Sequence, residues 1–453
     1  MYIELNHQNY LYDKVRNALF PAESSHCGRV DVCILHPETE SIAYSIENCA
    51  GQLILQVTQR CNLACKYCCY SKLYPQSRRP SLRDMDWNTA KKAIDMFAAR
   101  SGHTVQPGVS FYGGEPLLNF ALIRRCIDYI EDRYANWNIR YNITTNLTLT
   151  DDDMFAYLAV HRVNLNISLD GPQDVHDRAR VFRNGRGSFR KVYSALLHIK
   201  ECYPAYFREL SFTSVAVDPS AQRECEQFFF SDPLFEHRPV HSVSGLSNGY
   251  DEKVYQTLFG RSSDVQEDAD YIAVQKLCYL FRAEEQITNR NTHHPQGDSY
   301  SRYFSGTNRV FSLFADGIKK NGITRGDIRV NLHHSGPCIA IEDRMFVNVD
   351  GDIFPCEKVN ENCVDCRIGS VHNDSLNARK IEALLNLGRL NEEDCKKCDY
   401  IRFCEICAGS CSDDVHLTYA CKRTECLRQQ AAAERDINVA KYVYETLSKD
   451  GLL

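Results

Sequence analysis

The chain has 453 residues, enough for two or three domains and a substantial core. A net charge of −6 and a pI near 6.2 exclude a nucleic-acid binder held by bulk electrostatics. No apolar run approaches the roughly 18 residues of a membrane span, so no membrane partner is expected, and Met1-Tyr2-Ile3-Glu4-Leu5-Asn6 lacks the make-up of a secretory signal. The 22 cysteines therefore read as metal ligands in a reducing, oxygen-poor cytoplasm rather than as a disulfide scaffold.

Residues 1–50 are read as an N-terminal element with candidate strands at 2–5 and 30–46. From 51 to 240, short β-rich runs (53–57, 109–112, 139–144, 163–168, 210–217) alternate with helical periods at 87–99, 120–134 and 189–203. Ala90, Ala93, Ile94 and Phe97 repeat at i, i+3, i+4, i+7, with Asp86 or Asp84 as the cap. Such alternation predicts an α/β fold with a parallel sheet, its ligands at the C-terminal ends of the strands. Directly after the first strand, Cys61-Asn62-Leu63-Ala64-Cys65-Lys66-Tyr67-Cys68 reads C-x3-C-x2-C. Three thiolates on one compact loop can hold three irons of a [4Fe–4S] cube and leave the fourth iron for a substrate or cofactor. A zinc loop is the bland alternative. Gly113-Gly114-Glu115-Pro116 follows the second strand; the glycines allow close backbone approach to a ligand and Glu115 adds an acceptor. Thr144-Thr145-Asn146 ends the third strand, and Ser168-Leu169-Asp170-Gly171-Pro172 ends the fourth.

Residues 241–337 are polar and irregular, a bridging or inserted segment; its pairs His293-His294 and His333-His334 read as loop histidines. Eleven cysteines fall between Cys338 and Cys426, in a segment (338–430) too poor in periodicity to hold a core without metal. Asp350-Gly351 marks a hairpin turn that would bring Cys338 and Cys356 toward one site. Cys395-x2-Cys398-x5-Cys404 is a second metal signature, for which zinc competes with iron–sulfur. Residues 431–447 read as a closing helix within a C-terminal unit of 431–453. Cys126, Cys202 and Cys225 read as buried apolar residues.

The C-x3-C-x2-C loop with Tyr67 before its last cysteine, followed by GGEP and SLDGP, resembles the radical S-adenosylmethionine (SAM) superfamily. Cys338-x12-Gly351-x4-Cys356 and Cys395-x2-Cys398-x5-Cys404 resemble the SPASM domain that some members carry. The resemblance covers residues 51–430 and implies a partial (β/α)6 TIM-like barrel with a C-terminal cysteine-rich SPASM domain. It implies that Cys61, Cys65 and Cys68 hold the SAM-binding [4Fe–4S] cluster, and that two auxiliary clusters lie downstream. Tyr67, Gly113, Gly114, Glu115 and Asn146 would line the SAM site. Ser168 would contact the ribose, and Arg180 or Arg183 the SAM carboxylate. Leu147 stands where the family's TNG site has glycine, and Ala408 where SPASM has a cysteine. Cys407 or Cys411 would then complete the first auxiliary cluster, and Cys421 or Cys426 the second. Cys363 and Cys366 have no place in the pattern. No cysteine shortly precedes Cys338, which leaves the first auxiliary cluster open to a substrate thiolate.

By resemblance the chain is a maturase of ribosomal peptides, of the sactipeptide and ranthipeptide type. It would cleave SAM reductively, abstract hydrogen from a cysteine-containing precursor peptide and join the cysteine sulfur to the resulting carbon radical, with the thiol proton lost and an auxiliary cluster taking the electron. A flavodoxin or ferredoxin would supply the electron. The alternative is formylglycine formation of the anaerobic sulfatase type, in which Glu357, next to Cys356, would be the base. A non-enzymatic iron–sulfur or zinc scaffold leaves GGEP and SLDGP unexplained. Peptide maturases often carry a leader-binding module, one reading of residues 1–50, although a full winged helix needs more room.

Overall fold

A computed structural model describes residues 1–5, 7–14, 18–22, 32–75, 77, 78, 80–149, 151–235, 240–246, 250–260, 331–333 and 338–449. Cys27, Cys278, His293, His294 and His334, with most of the expected bridging segment, lie outside them.

The N-terminal strands β1 (Tyr2–Leu5), β2 (Gln8–Asp13) and β3 (Ala18–Pro21) form an antiparallel sheet. Its Ile3, Leu5, Tyr12 and Leu19 pack on Ile437, Ala440 and Tyr444 of the C-terminal helix. The strand expected at 30–46 is instead a two-residue strand β4 (Cys33–Ile34) and a helix, Thr39–Asn48. Ile42 and Ile46, at i, i+4, face the core together, which a strand would not allow.

The barrel strands are β5 (Gln52–Thr58), β6 (Gly108–Gly113), β7 (Arg140–Thr145), β8 (Asn164–Ser168), β9 (Ser211–Val215) and β10 (Val240–Ser244), all parallel and in sequence order. Six of the seven β5 residues are buried, as a strand covered on both faces requires. The helix Trp87–Arg100 begins where Asp86 accepts from Thr89 N–H at 2.9 Å, and buries Ala90, Ala93, Ile94 and Phe97. The sixth strand crosses the boundary expected between 240 and 241, and the helix Glu252–Phe259 follows it.

After β11 (Asn331–Leu332), which pairs with β4, come β12 (Met345–Val347) and β13 (Asp352–Phe354). They form the hairpin expected at Asp350-Gly351, with Gly351 at φ +79°. This hairpin also extends the barrel sheet. β12 pairs in parallel with β5, and β14 (Gly369–Ser370) and β15 (Ser375–Leu376) continue from β13. Arg78, from the stretch after the thiol loop, reinforces the join through a buried ion pair with Glu361 (2.6 Å). The last helix runs Tyr419–Lys449 and so crosses the boundary placed at 430/431, carrying Cys421 and Cys426 within it. Cys126 and Cys225 are buried as expected, but Cys202, the last residue of its helix, is exposed. Among the described residues no helix is long and apolar enough to cross a membrane.

Phe346 of β12 is fully buried and meets Tyr112 edge-on at 6.3 Å. Phe346→Ala should cost about 3–5 kcal/mol of stability, read as a lowered urea midpoint; a midpoint unchanged from wild type would show that the hairpin does not depend on this packing.

Candidate active site

A cavity of about 1130 Å³ opens at the C-terminal ends of β5–β10. Cys61, Cys65 and Cys68 line it together with Tyr67, Gly113, Gly114, Glu115, Asn146, Ser168, Arg180 and Arg183. All the candidate residues for the opening loop and its cofactor thus share one chamber. The helix Glu252–Phe259 adds Lys253, Val254, Thr257 and Leu258 to its wall.

The thiol loop is held from two sides. A Cβ on Gly113 would fall 2.1 Å from Thr58 O, and one on Gly114 2.1 Å from Arg60 O. The glycines therefore seat the GGEP turn against the loop's own backbone while they line the cavity. On the other side, Ala64 N–H donates to Val181 O (2.8 Å) and Lys66 N–H to Ala179 O (2.9 Å). Burial pushes Cys61 up to about 11 and Cys65 to about 12, whereas the Cys69 thiol hydrogen bond draws Cys68 down to about 7. Metal binding must displace those protons, which the gain of three metal–thiolate bonds can do.

Glu115 is buried, and its carboxylate accepts from Asn146 N–H (2.7 Å), Thr145 Oγ1 (2.7 Å) and Leu117 N–H (3.1 Å). Burial outweighs these bonds and pushes it up to about 7. Asn146 Nδ2 reaches Asn62 Oδ1 (3.0 Å) and Cys61 Sγ (4.0 Å). Leu147, in the position of the family's glycine, is buried at φ +50°, a conformation costly to a side chain.

Asp170 organises the opposite wall, a role the sequence reading did not give it. Its Oδ2 accepts from Arg180 Nε (3.0 Å) and from the Tyr67 hydroxyl, and its Oδ1 from Val215 N–H (3.0 Å). Arg180 is buried in that ion pair, 5.3 Å from the Tyr67 ring centre. Arg183 is exposed and donates to Cys61 O at 3.0 Å. Of the two arginines, Arg180 is held in the Asp170 pair and Arg183 is the exposed one.

The downstream cysteines form two groups. Cys395, Cys398, Cys404 and Cys426 line one small cavity with Lys422; Cys421 is not among its lining residues. In the other group, Cys407 lies close enough for its charge to act on Cys338, Cys356 and Cys411. Cys363 and Cys366 are fully buried, and the Cys366 thiol lowers Cys363 to about 6 by hydrogen bonding. Glu357 pairs with Arg344 at 3.2 Å and is not part of the main cavity wall.

The thiol donor set and the buried acceptors beside it fit an iron–sulfur cluster with an amino-acid cofactor. Comparison with known proteins agrees. Residues 55–217 match the Radical SAM superfamily model. A cysteine-type anaerobic sulfatase-maturating enzyme of Clostridium perfringens is 23% identical over 82% of this chain and 93% of its own. An uncharacterised protein of Methanocaldococcus jannaschii is 40% identical over 30% of this chain, which spans 44% of that protein. The radical SAM cyclopropyl synthase TigE of Paramaledivibacter caminithermalis is 30% identical over 32% of each chain. The structure of native anSMEcpe with bound AdoMet and Kp18Cys peptide superposes with a TM-score of 0.54 at 21% identity, over 86% of this chain and 98% of that one.

If Glu115 accepts from the amino group of SAM, it must be ionised to do so. Affinity should then fall by up to about tenfold per pH unit below pH ~7, the sign set by a carboxyl that gains its proton there. In anaerobic equilibrium binding, Glu115→Gln should bind at least about tenfold more weakly at pH 8 and lose this pH dependence; wild-type affinity in the variant would remove Glu115 from the site.

Proposed function

We propose that this chain, whose residues 55–217 match the Radical SAM superfamily model and which is 23% identical to a sulfatase-maturating enzyme, oxidatively cross-links a cysteine-containing precursor peptide. When bound, the cluster and SAM supply a 5′-deoxyadenosyl radical. Cys61, Cys65 and Cys68 would hold the cluster, with Glu115, Asn146, Ser168 and Arg183 fixing the cofactor over it. The largely apolar upper wall, with Leu246, Val254 and Leu258, would receive the peptide and keep water from the radical. Thiol groups at Cys338, Cys356 and Cys407 and at Cys395, Cys398, Cys404 and Cys426 would hold two auxiliary clusters in the same cytoplasmic enzyme. A flavodoxin or ferredoxin would be its reductant.

The observation that carries the choice of cross-linking is the Arg344–Glu357 ion pair. A carboxylate already engaged by a guanidinium is poorly placed as an obligatory base. A thioether would need no such base if a cluster held by the downstream thiols took the electron released as the substrate sulfur bonds the carbon radical, since positive charge beside a thiol lowers its pKa and lets its proton pass to solvent. The second reading is formylglycine formation. It is supported by the 93% coverage of the clostridial sulfatase-maturating enzyme, and it gives Glu357 the base's part.

One variant and mass spectrometry of the product separate them. Cross-linking predicts that Glu357→Gln keeps activity within about tenfold, whereas loss of a general base costs on the order of 10²-fold or more. Mass spectrometry of the product should show loss of two hydrogens with sulfur retained and no free thiol. Conversion of a cysteine to an aldehyde with loss of sulfur would establish the second reading instead. Cys61→Ala, Cys65→Ala or Cys68→Ala should each abolish release of 5′-deoxyadenosine, measured by chromatography. Cys398→Ala should keep some release yet make no product. Normal peptide modification by Cys398→Ala would remove the downstream thiols from the reaction.

A further inference from the structure

Lys422 is 1% exposed, on the first turn of the helix Tyr419–Lys449. A buried ammonium is costly unless a counter-charge accompanies it. Its Nζ meets Asn391 Oδ1, Cys395 Sγ (3.6 Å) and Cys426 Sγ (3.9 Å), and among the described residues it pairs with no carboxylate. The other charges nearby are engaged: Asp394 with Arg423 (3.6 Å) and Glu425 with Arg428 (3.7 Å). Four thiolates around an iron–sulfur core would place a net anion directly beside that ammonium. Lys422 is also four residues from Cys426, so helix geometry keeps its side chain beside that sulfur. Two further donors point at the group, Asn391 Nδ2 to Cys426 Sγ (3.6 Å) and Gln430 Nε2 to Cys398 Sγ (3.6 Å).

We propose that Lys422 is the charge partner of the iron–sulfur cluster held by Cys395, Cys398, Cys404 and Cys426, and that it raises that cluster's reduction potential. The inference rests on the reading of these four cysteines as an auxiliary-cluster site. Each electron added to the cluster makes it more negative, so a fixed positive charge and N–H donors at the sulfurs favour the reduced form. Lys422 is a positioning residue for charge, acting through the cysteine sulfurs it contacts.

The test is an EPR-monitored potentiometric titration with dithionite of anaerobically reconstituted full-length protein. Cys61→Ala/Cys65→Ala/Cys68→Ala serves as background, so that the opening loop contributes no signal. In that background Lys422→Met should retain its iron and lose at least about tenfold in the equilibrium constant for one-electron reduction, a fall of roughly 59 mV or more. Lys422→Arg, which keeps the charge, should stay within about threefold of the parent. An unchanged midpoint in iron-replete Lys422→Met would overturn the inference. If Lys422→Met cannot hold iron, Lys422→Gln takes its place, and a midpoint equal to the parent's would overturn it equally. Failure of the underlying reading looks different. Cys395→Ala would then leave both the iron content and the EPR signal of the background protein unchanged.

Discussion

The pairing of β12 with β5 is the constraint on which the rest of the molecule depends. β5 carries the thiol loop at its C-terminal end, and β13, hydrogen-bonded to β12, leads two residues later to Cys356. One continuous sheet thus fixes the distance between the opening thiols and the cysteine-rich half. Main-chain hydrogen bonds do this with little freedom, because a slip of one residue would turn every side chain of β12 to the other face. Gln56 and Arg78 both reach Glu361 (2.7 and 2.6 Å), closing the same junction with side chains. Truncating either partner of the Arg78–Glu361 pair would leave a buried charge unmatched.

Within the barrel, two turns do the corresponding work at short range. The GGEP turn lies on the backbone of residues 58–61, which sets Glu115 beside the loop, and the SLDGP turn sets Asp170 beneath Tyr67 and Arg180. His176 supports the second turn. Burial holds its imidazole down at about 4, so it is neutral, accepting from Asp170 N–H (3.3 Å) and facing Ser188 Oγ (2.9 Å). A site built this way holds its side chains by contacts within the chain, so that their positions are fixed by the fold.

Much of this was legible in the sequence because it is local. The apolar run of β5, the i, i+3, i+4, i+7 pattern of Trp87–Arg100, and Asp350-Gly351 at a hairpin turn each depend on neighbours in the chain. The thiol loop and GGEP were found by spacing, and the structure places them in one cavity. Other features were not local. The β5–β12 pairing joins residues about 290 apart and has no sequence signature. Lys422 lies between cysteines and looks like any surface lysine until the fold buries it. The helix Thr39–Asn48 did carry a signal, in Ile42 and Ile46 at i, i+4, which the expectation of a strand there overlooked. The exposed Cys202 shows that the residue type's average burial does not decide one position at a helix end.

The central claim is that Cys61, Cys65 and Cys68 hold a cluster with an open iron, against which Glu115 and its neighbours place SAM. ENDOR spectroscopy of the reduced, anaerobically reconstituted protein with SAM labelled by nitrogen-15 at its amino group measures this directly. The account predicts a hyperfine coupling between the reduced cluster and that nitrogen, lost in Cys65→Ala. A reduced cluster whose spectrum shows no coupling to the label at saturating SAM would contradict it.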